Sequence, residues 1–211
     1  MNFLWSEWQR LWAELHGKQE DAREVFEKLV SCYNESHREY HTLDHIEYCL
    51  RMFATVRQHS KHSVATEYAI WCHDAIYNVR AKDNEVQSGE LLLDIAMQYH
   101  LEGLYAIIAH KCVKDTAHEF DPIDIDRRIM VDVDRAILGE SWEVYAKYAA
   151  GVRKEYGHIP TPIYNFARRR YMRTHFLTYS PIFTTSFMRE RYELQARANI
   201  ERELGELGWL C

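Results

Sequence analysis

Apolar residues recur along most of the chain at steps of three and four. Leu4, Trp8, Leu11 and Leu15 share one helical face, and Gly17 stands where that helix would stop. Val25, Phe26, Leu29, Val30 and Tyr33 form a second stripe. A third helix is expected to open within His37–His45, capped by Thr42 or Asp44, and to bury Ile46, Leu50 and Phe53. A fourth runs roughly from Val64 to Ile76 and ends on the pair His73-Asp74. Further stripes follow. They are Leu92, Ile95, Ala96 and Tyr99; Leu104, Ile107 and Ile108; Ile125 to Leu138, stopped by Gly139; Trp142, Tyr145, Ala149, Val152 and Tyr156; Ile163 to Leu177; and a last long helix through Leu194, Ala198 and Leu204.

The prolines, Pro122, Pro160, Pro162 and Pro181, are expected between these helices, with a polar loop over Lys114–Pro122. No stretch sustains period-two alternation, so no sheet is expected. The pattern predicts an all-α, single-domain bundle of roughly nine or ten helices. In it, residues 1–36 form N-terminal helices that pack on a core of 37–139, and 140–211 form C-terminal helices. No repeat, linker or change of composition marks a second domain.

Composition narrows this picture. The 211 residues are 47% hydrophobic and 27% charged, which is ordinary for one globular domain. A net charge of −6 argues against a general nucleic-acid-binding surface. The five cysteines (Cys32, Cys49, Cys72, Cys112 and Cys211) are odd in number and widely spaced, without a C-x-x-C. That argues against a disulfide framework or a cysteine-rich zinc site, and reduced thiols fit a cytoplasmic protein. The N-terminal residues lack a signal-peptide pattern, and no apolar run suits a membrane span. Oligomeric state is not legible.

Twelve histidines are a high count for this length. His73-Asp74 closes an apolar run, where a charged pair is costly to bury unless something compensates it. With His45 before it and Asp134 after it, a His…His-Asp…Asp series spans three expected helices. Imidazole and carboxylate together suit Mn, Fe, Co, Ni, Zn or Mg, and ligands from neighbouring helices are a common way to build a metal site in a bundle. Asp132 is a rival for Asp134, since two residues apart on a helix do not share a face. His41 and His45 have the spacing of a zinc-protease helix, but Thr42 follows His41 where that chemistry needs Glu, so a metalloprotease is excluded.

The order Tyr40-His-Thr-Leu-Asp-His45, Trp71-Cys-His-Asp-Ala-Ile-Tyr77, Asp83-Asn-Glu85 and Val131-Asp-Val-Asp-Arg-Ala-Ile-Leu-Gly139, extended by Arg153–Tyr156 and Ala196–Leu204, resembles the HD-domain superfamily. It is most similar to that superfamily's small bacterial group of predicted metal-dependent phosphohydrolases. The resemblance implies an all-α bundle with metal ligands His45, His73, Asp74 and Asp134, and hydrolysis of a phosphate ester or anhydride, with a nucleotide as the expected substrate class. A bound divalent ion polarises a phosphoryl oxygen and lowers the pKa of its water. Two departures stand out. The segment His110-Lys-Cys-Val113 replaces an expected Thr and later His, and Asn78 stands where the group has Asp. A second metal held through His110 or His118 is an alternative.

Beyond the ligands, Glu85 and Asp83 are the candidate acids for positioning or deprotonating water, beside Asp74 itself. His41, Lys111, Arg153 and Arg169 are candidates for contact with a phosphorylated small molecule, and Arg168 and Arg170 share their run. Two rival functions remain open on the sequence: a metal-containing nucleotide-binding or regulatory protein with little turnover, and a di-iron oxygenase on the same scaffold.

Overall fold

The computed structural model describes residues 2–117, 122–178 and 181–208. Among the described residues there are ten α-helices and no strand, so the expected fold class stands. The helices are α1 (Asn2–Glu14), α2 (Ala22–Tyr33), α3 (Leu43–Val56), α4 (Ser63–Cys72), α5 (Asn84–Gln98), α6 (Gly103–Asp115), α7 (Ile125–Arg135), α8 (Trp142–Glu155), α9 (Thr161–Met172) and α10 (Ser186–Glu206). None is long and apolar enough to cross a membrane. The contacts divide the chain into two compact units, 1–130 and 131–211. The division falls inside α7, earlier than the boundary after Gly139 expected from the sequence.

In the first unit α4 is the axis. Every residue from Ala65 to Cys72 is buried, and the helix lies against α1, α3, α5 and α6. A helix surrounded on all sides is mostly apolar around its circumference, and here only Thr66 and Glu67 interrupt the buried apolar residues. Trp71 of α4 meets Trp8 of α1 edge-on at 5.2 Å between centroids and Phe26 of α2 at 6.1 Å. Two polar tips of this aromatic core are satisfied, while the buried Trp71 Nε1 meets no acceptor among the described residues. Trp8 Nε1 donates to the Ala22 carbonyl at 2.8 Å, and the Tyr33 hydroxyl donates to the Trp71 carbonyl at 2.9 Å. Glu67, buried in mid-helix, is bound by Arg10 and Arg57. Burial raises its carboxyl pKa, and the two guanidinium groups work against that rise.

Both ends of α4 are held from outside. At its N-terminus the buried Asp126 carboxylate accepts hydrogen bonds from the Ser60 hydroxyl (2.7 Å), from the backbone N–H groups of Lys61 (2.7 Å) and His62 (3.1 Å), and from His62 Nδ1 (2.8 Å). At the other end the helix stops at Cys72, earlier than the periodicity predicted, because tertiary bonds replace helical ones. Ile76 donates to Ser88 Oγ of α5 at 3.0 Å, and Arg38 takes the carbonyls of Asp74 and Ala75 at 2.7 and 3.0 Å.

The second unit packs α10 onto a 3₁₀ turn, Ala136–Gly139, that continues α7. A Cβ on Gly139 would sit 2.6 Å from Tyr192 Cβ and 2.9 Å from the Tyr192 carbonyl oxygen, so only glycine permits this approach. Asn199 closes the contact by donating to the carbonyls of Leu138 and Glu140 at 2.9 and 2.8 Å. A buried Arg168–Glu203 pair (2.9 Å), with Tyr145 and Tyr148 bound to it, joins α8, α9 and α10. Pro162, expected between helices, lies in the first turn of α9, where its missing N–H costs nothing.

Candidate metal centre

The loop before α3 and the turn after α4 bring three side chains together. Thr42 caps α3, its hydroxyl accepting from the Asp44 N–H at 3.3 Å, so His45 falls in the first turn of the helix and His41 stands outside it. The i, i+4 helical pairing of His41 with His45 suggested by their spacing is therefore not formed. His73 is the C-cap of α4 and keeps helical dihedrals, while Asp74 begins the turn.

His45 Nε2 lies 3.2 Å from His73 Nε2 and 3.6 Å from Asp74 Oδ2, and His73 Nε2 lies 3.2 Å from the same carboxylate oxygen. His73 Nδ1 is 2.9 Å from the Ile70 carbonyl oxygen. A carbonyl only accepts, so neutral His73 keeps its proton on Nδ1 and presents a bare lone pair at Nε2. Two imidazole nitrogens and a carboxylate thus converge with both histidines buried. Burial by itself would raise the Asp74 carboxyl. When protonated, the facing His73, then His41 and His45, outweigh it and hold the group well below the ordinary carboxylate range.

This donor set fits a divalent cation. Two ligands each about 2.1 Å from one ion stand ~3.0 Å apart at a right angle and ~3.4 Å apart at the tetrahedral angle. The three observed separations, 3.2, 3.2 and 3.6 Å, are close to that range. The C-terminal end of α4, where the helix dipole favours positive charge, is also the right end for a cation. The Cys49 thiol lies 3.7 Å from the ring nitrogens of His45.

An aromatic cluster flanks the three donors. Tyr40 lies 4.8 Å from His45 between ring centroids, and His41 is stacked on Tyr77 at 4.1 Å and 6.0 Å from His45. His37 is exposed, and its Nε2 reaches the Tyr77 carbonyl at 2.8 Å.

The other sequence candidates fall into distinct places. Asp134 belongs to the second unit, in the last turn of α7, and is half-buried. Its rival Asp132 is fully buried and already engaged. Its two oxygens accept from the backbone N–H and hydroxyl of Thr184 (2.6 and 3.0 Å) and of Thr185 (2.7 and 2.6 Å). Four donors fill the carboxylate, which removes Asp132 as a ligand. Burial still raises its pKa, the hydrogen bonds opposing the rise.

Asp83 is exposed at the start of α5 and accepts from Gln87 at 2.9 Å, while Glu85 is half-buried in the first turn. Lys111 is exposed on α6. Arg153 and Arg169 are residues of the second unit. Arg153 donates to the carbonyls of Tyr156 (2.8 Å) and Ile159 (3.1 Å) and to Thr161 Oγ1 (3.2 Å), tying the end of α8 to α9. Arg169 holds the Leu204 carbonyl in the last turn of α10 at 2.6 Å and the Gly208 carbonyl just beyond it. His110 packs on Gly89 of α5 and joins no cluster of three metal-binding side chains among the described residues. His118 lies outside the described residues.

Arg38 was missed from the sequence. It sits in a charge-rich stretch, Glu35-Ser-His-Arg-Glu39, which reads as a solvated surface, yet its guanidinium is fully buried. The partners that bury it, the carbonyls of Asp74 and Ala75, lie far along the chain and leave no local signal. No family model, curated protein or solved structure matches this chain.

Proposed function

We propose that the chain is a metal-dependent phosphohydrolase acting on a phosphate ester or anhydride, with a nucleotide as the substrate class. The observation that carries the proposal is the convergence of His45 Nε2, His73 Nε2 and Asp74 Oδ2 within 3.6 Å of one another. Membership of the HD-domain superfamily is part of the proposal and rests on the ordered motifs. A divalent ion held there supplies Lewis acidity and an activated water.

The chain's own residues do the rest. His73, fixed by Ile70, aims a lone pair without rotating, and Asp74 brings the negative charge. His41, its ring centroid 6.0 Å from that of His45, faces the phosphate, and Glu85 orients the water. Arg153 and Arg169, engaged with backbone carbonyls, take no part. The resemblance supplies Asp134 as a fourth ligand, and that role rests on the resemblance alone.

The test is a panel of nucleoside mono-, di- and triphosphates and cyclic nucleotides, assayed for release of phosphate with Mn, Co, Zn, Fe or Mg. Hydrolysis by wild type that is lost in Asp74→Ala supports the proposal. Tight nucleotide binding with no turnover under any metal refutes it in favour of a binding or regulatory role. Two imidazoles and one carboxylate are also the donor set of Fe(II) sites that use oxygen. Oxygen consumption by iron-loaded protein, without phosphate release, would establish that second reading.

A further inference from the structure

Arg38 has five N–H donors, and all five are used within the first unit. Nε and Nη2 bind Glu35 at 3.0 and 2.9 Å. Nη1 binds the carbonyls of His41 and Asp74 at 3.0 and 2.7 Å, and Nη2 also binds the Ala75 carbonyl at 3.0 Å. The guanidinium lies between the rings of Tyr33 and Tyr77, 5.3 and 5.4 Å from their centroids. No donor remains for a phosphate. The group instead joins the two segments that carry the cluster: the loop of His41, which leads directly into His45, and the turn formed by His73, Asp74 and Ala75. Its charge also lies just beyond the C-terminus of α4, the end of the helix dipole that favours a cation.

We propose that Arg38 is the positioning residue of the cluster, setting its affinity for a divalent cation by fixing the backbone of Asp74 and His41 while touching neither ion nor substrate. The inference rests on the reading of His45, His73 and Asp74 as metal ligands. A guanidinium is required, because three carbonyls and one carboxylate must be met in a planar fork. Lysine offers three donors from one point and cannot span them.

The experiment titrates wild type, Arg38→Lys, Arg38→Ala and Glu35→Gln with Co(II), read by its visible absorption, alongside thermal unfolding. Groups that orient a ligand rather than bind the ion typically carry ~10–100-fold in metal affinity. Arg38→Lys is expected to weaken Co(II) binding by that order. Added methylguanidinium should restore Arg38→Ala toward wild type. Glu35→Gln, a change at an exposed side chain that keeps the carbonyl bonds, should weaken binding in the same direction by less.

Gly139→Ala, which strains the second unit, serves as the stability control and should lower the melting temperature without moving the Co(II) affinity. The inference is overturned if Arg38→Lys and Glu35→Gln both bind Co(II) as wild type does. It is also overturned if the loss in affinity merely follows melting temperature, with Gly139→Ala showing the same loss. Wild type that binds Co(II) while the Arg38 and Glu35 variants are unaffected leaves the functional reading standing. Wild type that binds no divalent metal overturns both.

Discussion

Asp132 and Asp134 lie two residues apart in the same acidic motif, and Asp132 separates a structural from a ligand role most sharply. Its carboxylate sits at the N-terminus of α10, where Thr185 is the N-cap and donates rather than accepts. The negative charge there is favoured by the helix dipole and receives two backbone N–H groups. Asp132→Ala leaves the N–H groups of Thr184 and Thr185 buried without acceptors, while the two hydroxyls can turn elsewhere. At ~1–3 kcal/mol for each of the two unsatisfied buried donors, the cost is about 2–6 kcal/mol. For a chain of this size that is a fall of roughly 4–24 °C in melting temperature. Asp132→Asn keeps the volume and one acceptor oxygen. Its amide faces one N–H that cannot turn away, so the cost drops to about 1–3 kcal/mol. Circular dichroism melts, paired with Co(II) titrations, read both effects. The expected result is a graded loss of stability, Ala more than Asn, with unchanged metal affinity. An Asp132→Asn protein that melts like wild type but no longer binds metal would show Asp132 to be a ligand and refute the reasoning.

Three further outcomes follow from the packing. Asp126 has a carboxyl pKa held down, burial raising it but its hydrogen bonds from Ser60, His62 and Lys61 outweighing that. Its stabilising contribution is therefore present above the unfolded value of about 3.9 and is lost as pH falls through the lower folded value. In urea melts, Asp126→Asn should be less stable than wild type near neutrality, with the gap closing below roughly pH 4. Gly139→Ala should cost about 1–3 kcal/mol through its clash with Tyr192. Gly103→Ala, at the exposed first residue of α6 with nothing within 4 Å, should gain about 0.4–1 kcal/mol, and both are read by thermal unfolding.

The periodic stripes made most of the helices legible, because each outer helix buries one face. The end of α4 was not legible. His73-Asp74-Ala75-Ile76 continues the apolar pattern, and what stops the helix is Arg38 and Ser88, which are distant in sequence. The same holds for the site. His45, His73 and Asp74 could be picked out as chemistry-bearing residues in a meaningful order, and the structure brings their donor atoms together. The choice between Asp132 and Asp134 needed coordinates, since it turns on whether Thr184 and Thr185 fill one carboxylate. The arginines misled for the opposite reason. Arg153 and Arg169 have the composition of a phosphate clamp, but their donors are directed to helix-end carbonyls. Arg38, in a stretch that looks solvated, is the arginine wired to the cluster.

The central claim is that His45, His73 and Asp74 hold one divalent cation. Calorimetric titration of metal-stripped protein with Co(II) or Mn(II), with stoichiometry checked by elemental analysis, addresses it most directly. The account predicts about one strongly bound equivalent, held by the cluster of His45, His73 and Asp74. It also predicts a loss of affinity in Asp74→Ala and in His73→Ala beyond the ~100-fold upper end seen for orienting groups. Binding of no metal by wild type, or equal binding by wild type and Asp74→Ala, would contradict it.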